Sequence, residues 1–415
     1  MIRNLKRDYF WNTLGVFFQN ALSPLLLVIV TRVNGIYDSG VFSFAFSVAI
    51  IFWALGMWGG RTYQVSDAKK VFYQQSYITV RLILALVMLV GVVAFCIVNN
   101  YDIAKASIII ALVLLKVFES IADSIYGVMQ VNNSLFVAGK SLIYKSVFGL
   151  VTFTLIDITT HDLFLSSLGL VTVNIIGILI YDIPQTKKLQ SIRLKGELFS
   201  KYIQQALEIM KLCLPLFLIS FLSAFSLNIP RYFIDIYHQS QLGYFGILAM
   251  PITLIVLLMT FILQPNIVSL SQQLNKKEYI AFNSIVSKIL RLTSIVGLIV
   301  LALAYLVGVQ VLTLVFGVDF SEYKPILVVL TLGAIASAIV AIYINMLTIM
   351  RHFKVQAYVL LITNIILAVL CVLFIQDYGL IGGVSIFTVI NFIQAILFSQ
   401  VYRHYIRKLQ DAKKA

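Results

Sequence analysis

Lys116, Glu119 and Asp123 fall within one apolar segment that is long enough to cross a membrane. Spacings of three and four residues place them on one face of a helix. An ionised side chain near the bilayer centre costs roughly 2.5–3.5 kcal/mol on insertion scales, so these groups should face each other or a water-filled cavity. One interpretation is mutual neutralisation between helices. The other is a cavity wall in which Lys116 binds an anion, while Glu119 and Asp123 tune it or bind a coupling ion.

Three arginines near the ends of other apolar segments are further candidates for anion binding. Arg32 and Arg231 occupy matching places near the predicted outer ends of segments one and seven. If they faced each other, they would form an outer gate or a last anion site. Arg61 ends segment two on the inner side, where it could receive a phosphate. Snorkelling to the interface is the alternative for Arg32 and Arg231, and an ordinary positive-inside anchor is the alternative for Arg61. Asp235, one turn beyond Arg231, could simply pair with it.

Amides in segments one and seven extend this polar set. Asn12, Gln19, Asn20 and Asn228 are predicted cavity walls, with interhelical hydrogen bonds worth about 0.6 kcal/mol each as the alternative. Catalytic motifs are absent, since the chain has no Ser/His/Asp order, no HExxH and no Walker loop. The three cysteines lie in separate apolar runs without metal-ligand spacing. We therefore predict neither an enzyme nor a bound cofactor or metal.

The elements that must position these residues are membrane helices. Of 415 residues, 60% are hydrophobic and 12% are charged, and the mean hydropathy is +0.97. A hydrocarbon core of about 30 Å needs about 20 apolar residues per helix. The apolar runs predict twelve spans, at roughly 10–33, 40–58, 78–99, 103–126, 141–159, 163–182, 212–236, 244–267, 292–316, 325–350, 357–376 and 380–401. We therefore expect an all-α polytopic membrane protein.

The distribution of basic residues predicts the orientation. Most of the 31 Lys and Arg residues fall on one side of the twelve-span arrangement, which places both termini in the cytoplasm by the positive-inside rule. The same distribution accounts for the net charge of +14, because bases on that side face anionic inner-leaflet lipids. Nucleic acid is therefore not an expected partner.

Weak internal repeats predict two six-span lobes. KKVFYQQSYITVRL ahead of span three is similar to KKEYIAFNSIVSKILRL ahead of span nine. TRVNGIYDSGVFSFAF is similar to PRYFIDIYHQSQLGYFGIL at the ends of spans one and seven. Repeats that start on the same side are related by an axis along the membrane normal. We expect an N-terminal lobe over 1–190, a cytoplasmic amphipathic linker helix over 191–211 that lies on the inner leaflet, and a C-terminal lobe over 212–415 with a basic cytoplasmic tail.

A family resemblance runs over essentially the whole chain. NTLGVFFQNALSPLLLVIVTRV, GGRTYQVSDAKK, IADSIYGVMQVNNSLFVAGKS, LPLFLISFLSAFSLNIPRYFIDIYHQSQLGYFGILAMPI and VFGVDFSEYKPILVVLTLG occur in that order. Together they resemble Wzx-type flippases for O-antigen, capsule or teichoic-type polysaccharides, which belong to the multidrug/oligosaccharidyl-lipid/polysaccharide (MOP) exporter superfamily. The resemblance implies a MATE-like, V-shaped pair of six-helix lobes in a bacterial cell membrane.

The resemblance also implies a substrate and a mechanism. Such proteins move undecaprenyl-diphosphate-linked oligosaccharide repeat units to the outer leaflet by alternating access, for capsule or cell-surface polysaccharide assembly. Polysaccharide polymerases and glycosyltransferases are the implied protein partners. The cationic cavity of the family is carried over to Lys116, Arg32, Arg61 and Arg231.

The energy source and two alternative functions remain open at this stage. Moving one negative charge out of a negative-inside cell gains roughly 2.3 kcal/mol per 100 mV, and a proton or sodium ion could couple through Glu119 or Asp123. A cation-coupled multidrug antiporter of MATE-like fold is the first alternative. A non-transporting scaffold for polysaccharide-assembly enzymes is the second.

Overall fold

The structure is a computed structural model that describes residues 2–67, 71–190, 198–263 and 266–414. Every regular element in these ranges is helical. The first helices are α1 (Ile2–Asn34), α2 (Ile36–Met57), α3 (Gly60–Ser66), α4 (Gln74–Val98), α5 (Ile103–Val131), α6 (Leu135–Thr160), α7 (Leu163–Gly177) and α8 (Ile183–Leu189). They are followed by α9 (Phe199–Tyr237), α10 (Leu242–Leu248), α11 (Met250–Leu263), α12 (Ile267–Asn275), α13 (Tyr279–Leu303), α14 (Val309–Phe316), α15 (Lys324–Ile349) and α16 (Phe353–Lys414).

The predicted set of membrane spans is confirmed. Ten helical stretches of the described residues are long and apolar enough to cross a membrane. The helix α5, with 29 residues, is long enough to be a further span, and its interior charges keep it out of that apolar set. The backbone of α16 breaks at Gly379, where φ is 51°, so α16 supplies two legs, 353–378 and 380–414. With α5 and both legs of α16, the described residues contain twelve helical stretches that match the twelve expected spans.

Two compact units divide the chain, Met1–Ala224 (unit 1) and Phe225–Ala415 (unit 2). The long helix α9 contributes to both units. The expected linker helix falls partly on 191–197, which lie outside the described residues. From Phe199 onward this segment is helical and continues without interruption into the seventh span. The lobe boundaries expected from the sequence stay a prediction.

The first turns of α9 cover protein. Tyr202, Ala206 and Ile209 are buried with Tyr77 and Val80 of α4 in one hydrophobic cluster. The linker helix was predicted to lie on the inner leaflet. The apolar face of its described part packs on α4, and its position relative to a membrane stays a prediction.

Close packing of α1 on α6 sets the position of the first helix. A Cβ atom on Gly15 or on Gly139 would overlap the backbone of the facing helix, so only glycine permits this approach. Nearby, the buried Asp8 carboxylate accepts a hydrogen bond from the backbone N–H of Phe136, at 3.1 Å, in the first turn of α6. A carboxylate there satisfies a backbone donor that the helix leaves free. One turn beyond Gly15, α1 brings Gln19 to α5.

Candidate functional site

The α5 charges lie in the interior of unit 1, where the first of them forms a local ion pair. Lys116 Nζ lies 2.9 Å from Glu119 Oε2 and 4.9 Å from the ring centre of Phe46 on α2. Gln19 Nε2 on α1 donates to the same Glu119 oxygen at 3.4 Å. Both charged side chains are about nine-tenths buried. The structure thus brings together Gln19, Lys116 and Glu119, with the lysine neutralised by its neighbour.

Asp123 bridges two arginines from other helices. Its Oδ1 lies 2.8 Å from Arg61 Nη1 and its Oδ2 lies 3.1 Å from Arg81 Nη2. Arg81 is almost fully buried and also donates to the backbone carbonyls of Gly56 and Met57. These are the last carbonyls of α2, and the last carbonyls of a helix have no hydrogen-bond donor within the helix. Arg81 is therefore fixed by the fold and holds Asp123 in place.

Arg61 is the accessible member of this triad. The turn through Trp58 and Gly59, both left-handed at φ 42° and 65°, directs the chain into α3, which carries Arg61. The arginine Nε and Nη2 atoms donate to Gln130 Oε1 at 3.3 and 3.2 Å. Its side chain is 26% exposed, whereas that of Arg81 is 2% exposed. Two guanidinium groups share one carboxylate, so this group carries one positive charge in excess.

A further buried ion pair joins α6 to the end of the sixth span. Lys145 Nζ contacts Asp182 Oδ2 and the Tyr126 hydroxyl, the latter at 3.1 Å. The Tyr126 hydroxyl also lies 2.9 Å from Ser141 Oγ. A π-helical turn over Ile178–Asp182 joins α7 to α8 and carries the aspartate. A Cβ atom on Gly177 would overlap the lysine stem, so glycine there makes room for Lys145.

A small polar cavity connects these groups. Its volume is about 30 Å³, which is enough for a single water molecule. Its polar lining is formed by Gln19, Glu119, Tyr126, Lys145, Ser146 and Asn174. Four helices, α1, α5, α6 and α7, therefore surround one small polar cavity in the interior of unit 1.

The other predicted site residues lie outside this cluster. On α1, Asn12 is half-buried, whereas Asn20 and Arg32 are exposed. The remaining three lie on the part of α9 that belongs to unit 2. There, Asn228 and Asp235 are buried, and the Arg231 guanidinium carbon lies 5.4 Å from the ring centre of Phe245. Roles for these six residues in binding stay predictions.

Sequence reasoning missed several interior groups. Lys145 falls inside the predicted span 141–159, and that position was a usable signal. Asp157 lies in the same span and is fully buried. Its Oδ1 accepts hydrogen bonds from Asn34 Nδ2 at 2.8 Å and from Ser166 Oγ at 3.3 Å. Arg81 gave no such signal, because it stands four residues into a span that follows a basic loop.

Comparison with known proteins agrees with the resemblance found in the motifs. No protein-family model matches the chain. The capsular polysaccharide biosynthesis protein CapF of Staphylococcus aureus is 25% identical over 395 residues, which cover 94% of this chain and 98% of that protein.

Solved transporters have the same fold. An inward-facing multidrug resistance MATE family transporter of the MOP superfamily matches with a TM-score of 0.72 at 12% identity, over 96% of this chain and 98% of that one. The lipid II flippase MurJ, in an inward closed conformation, matches with a TM-score of 0.68 at 15% identity, over 92% and 85% of the two chains. The predicted resemblance is thus confirmed: this multi-pass membrane protein has the fold of MOP superfamily transporters and is similar to a capsular polysaccharide biosynthesis protein along nearly its whole length.

Proposed function

We propose that this chain is a flippase for lipid-linked polysaccharide precursors. Its substrate would be an undecaprenyl-diphosphate-linked oligosaccharide, moved from the cytoplasmic to the outer leaflet by alternating access. The full-length similarity to a capsular polysaccharide biosynthesis protein supports the polysaccharide pathway. The fold shared with a lipid II flippase supports a transport role rather than an enzymatic one.

The Arg61–Asp123–Arg81 triad is the observation that carries the proposal. A guanidinium group presents donors in a fork that matches phosphate oxygens, and Arg61 is the partly exposed member. When Arg61 turns to a diphosphate, Arg81 still neutralises Asp123. Removing the only partner of a buried charge would cost several kcal/mol. Because Arg81 stays paired with Asp123, the free-energy cost of releasing Arg61 from Asp123 is lower than that.

The Lys116–Glu119 pair suits a coupling role. Protonation of Glu119 would remove the charge that neutralises Lys116 at 2.9 Å and would leave a free cation in the interior of unit 1. A proton, or a sodium ion held by Glu119 or Asp123, would thereby control the affinity for an anionic head group. The membrane potential contributes about 2.3 kcal/mol per exported negative charge per 100 mV.

The cellular setting follows from the same proposal. The chain would lie in the bacterial cell membrane with both termini in the cytoplasm, as its basic residues predict. Its expected neighbours are anionic inner-leaflet lipids, a polysaccharide polymerase and glycosyltransferases. None of these partners requires nucleic-acid binding.

The test is transport of a defined substrate by reconstituted protein. Arg61→Gln should lower the rate of flipping undecaprenyl-diphosphate oligosaccharide by about tenfold or more, since a hydrogen bond to a charged group is worth about 1.5–3 kcal/mol. Arg61→Lys keeps the positive charge but lacks the forked pair of donors. Its flipping rate should therefore lie between those of wild type and Arg61→Gln. Arg291→Gln, at an exposed position on α13, is the matched control and should behave as wild type.

Cell phenotypes separate the alternatives once equal membrane abundance is established. Full surface polysaccharide in cells that carry Arg61→Gln would contradict the proposed anion role. Drug resistance on overexpression without a polysaccharide defect would favour the multidrug antiporter. Normal polysaccharide from variants that no longer flip the substrate in vesicles would favour the scaffold.

A further inference from the structure

The second leg of α16 exposes one continuous stripe of side chains. The exposed positions recur every three or four residues, at Ile381, Ser385, Val389, Phe392, Ile396, Gln400, Arg403, Arg407 and Asp411. This spacing follows one face of a helix. The stripe is mainly apolar as far as Ile396 and becomes cationic from Arg403. A single helix face therefore changes from lipid-compatible to anion-compatible along its length.

The opposite face of this leg is fixed to the rest of unit 2. Tyr402 is buried, and its hydroxyl donates to Asn283 Oδ1 on α13 at 3.0 Å. Ile406 is buried as well. The ring of Tyr405 stacks on that of His352, with 3.7 Å between ring centres. Because these contacts fix the rotation of the helix, the cationic face has a defined direction.

The cationic face combines residues from two segments. Arg403, His404, Arg407 and Lys408 line a groove together with Gln400 and Asp411, and all four basic residues are exposed. The turn between α15 and α16, which His352 brings against Tyr405, adds the exposed Arg351, and the first turn of α16 adds the exposed Lys354. Burial and the charge of Lys408 lower the pKa of His352, as expected beside a group of like charges.

The distance along the helix matches the depth of one leaflet. Phe392 and Arg403 are separated by about 16 Å at 1.5 Å per residue. Half of a hydrocarbon core is about 15 Å thick. An acyl chain that lies along the apolar part of the stripe would therefore bring its phosphate to Arg403 and Arg407. A soluble anion would have no use for the apolar part.

We infer that this face of α16 is a binding site for an anionic phospholipid of the inner leaflet. The acyl chain contacts Phe392 and Ile396, and the head-group phosphate contacts Arg403, Arg407 and Lys408. The site uses none of the interior charged residues of unit 1, so it does not depend on the identity of the transported substrate. It depends only on the proposed cytoplasmic side of the carboxyl terminus.

The experiment measures lipid binding by the purified full-length protein in neutral detergent. Native mass spectrometry would follow titration with phosphatidylglycerol and, separately, with phosphatidylcholine of identical acyl chains. The triple variant R403Q/R407Q/K408Q should bind phosphatidylglycerol more weakly by roughly tenfold to a hundredfold, on the scale expected for three basic residues. Binding of phosphatidylcholine should be weak and unchanged.

Two further variants act as controls. The variant R403K/R407K keeps the charge and should retain binding. The variant K187Q/K188Q/K276Q removes the same number of exposed charges elsewhere on the predicted cytoplasmic side and should also retain it. The inference is overturned if the Gln variant binds phosphatidylglycerol like wild type, if the distant control loses binding equally, or if both lipids bind alike. Competition by glycerol phosphate as strong as by the intact lipid would overturn the role of the acyl chain.

Discussion

Unit 1 and unit 2 bury different kinds of polar side chain. The buried polar residues of unit 1 include the charged residues Arg81, Lys116, Asp123, Lys145 and Asp182. Those of unit 2 are mainly amides and hydroxyls, among them Ser226, Asn228, Thr363, Asn391 and Gln394. In unit 2, Gln394 Nε2 donates to Thr363 Oγ1 at 2.8 Å and to Ser226 Oγ at 3.4 Å. The two units thus share an all-helical architecture and differ in interior chemistry.

This difference bears on which unit carries the proposed binding or coupling residues. A buried ion pair is weak support for stability, because apolar side chains of similar volume are often as stabilising. Neutral hydrogen bonds, such as those in unit 2, can hold helices together without the free-energy cost of removing charged groups from water. The accumulation of ion pairs in unit 1 therefore favours a role in binding or coupling over a purely structural one.

The largest expected effect tests the cost of a buried charge. Asp182→Leu leaves Lys145 uncompensated in the interior and should destabilise the protein by about 3–5 kcal/mol. The double variant Lys145→Met with Asp182→Leu should recover most of that loss. Gln394→Leu, the counterpart in unit 2, should cost only about 1 kcal/mol. The measurement is the apparent free energy of unfolding in mixed micelles, and equal losses for Asp182→Leu and Gln394→Leu would remove the distinction between the units.

Replacing glycines at helix contacts by alanine should cost less stability than Asp182→Leu, and the loss should again differ between the units. A Cβ atom at Gly139 would meet the α1 backbone at Trp11, whereas one at Gly333 would meet the side chains of Phe387 and Thr388. Side chains can change rotamer and a packed backbone cannot, so Gly139→Ala should cost about 1–3 kcal/mol and Gly333→Ala less. The same unfolding measurement applies. A larger loss for Gly333→Ala would contradict this reading of the α1–α6 contact.

The sequence predicted the membrane helices well because their signal is local. Apolar runs of about 20 residues identify spans one at a time, and the i,i+3 spacing of Lys116 and Glu119 placed them within reach of each other before any tertiary contact was known. The observed 2.9 Å ion pair agrees with the neutralisation alternative for these two residues.

Contacts between distant segments were beyond such reasoning. Asp123 was expected to act with its α5 neighbours, but it pairs with Arg61 and Arg81, which precede it by 62 and 42 residues. Both arginines carried the signature of ordinary positive-inside anchors. The Lys145–Asp182 pair depends on a π-helical turn, which interrupts the 3.6-residue period that sequence patterns detect. Which cation binds which acid is therefore decided by packing.

The smallest expected effect compares two lysines near the predicted outer ends of the units. Lys105 Nζ in unit 1 lies 4.3 Å from the ring centre of Tyr101, and Lys324 Nζ in unit 2 lies 4.2 Å from that of Tyr305. The geometry is nearly the same, but Lys105 is buried and the ring of Tyr305 is exposed. A cation–π contact is worth about 0.5–1 kcal/mol when exposed and about 2 kcal/mol when desolvated.

Double-mutant cycles with Lys→Met and Tyr→Leu should therefore give a larger coupling energy for Lys105 and Tyr101 than for Lys324 and Tyr305. The cycle cancels the apolar area that each tyrosine loses, which single variants do not. Equal coupling energies would mean that water reaches Lys105 as freely as Lys324. The low exposure of charged groups in unit 1 would then no longer imply that their electrostatic interactions are stronger than those of exposed groups. The two units would differ only in their number of buried charges.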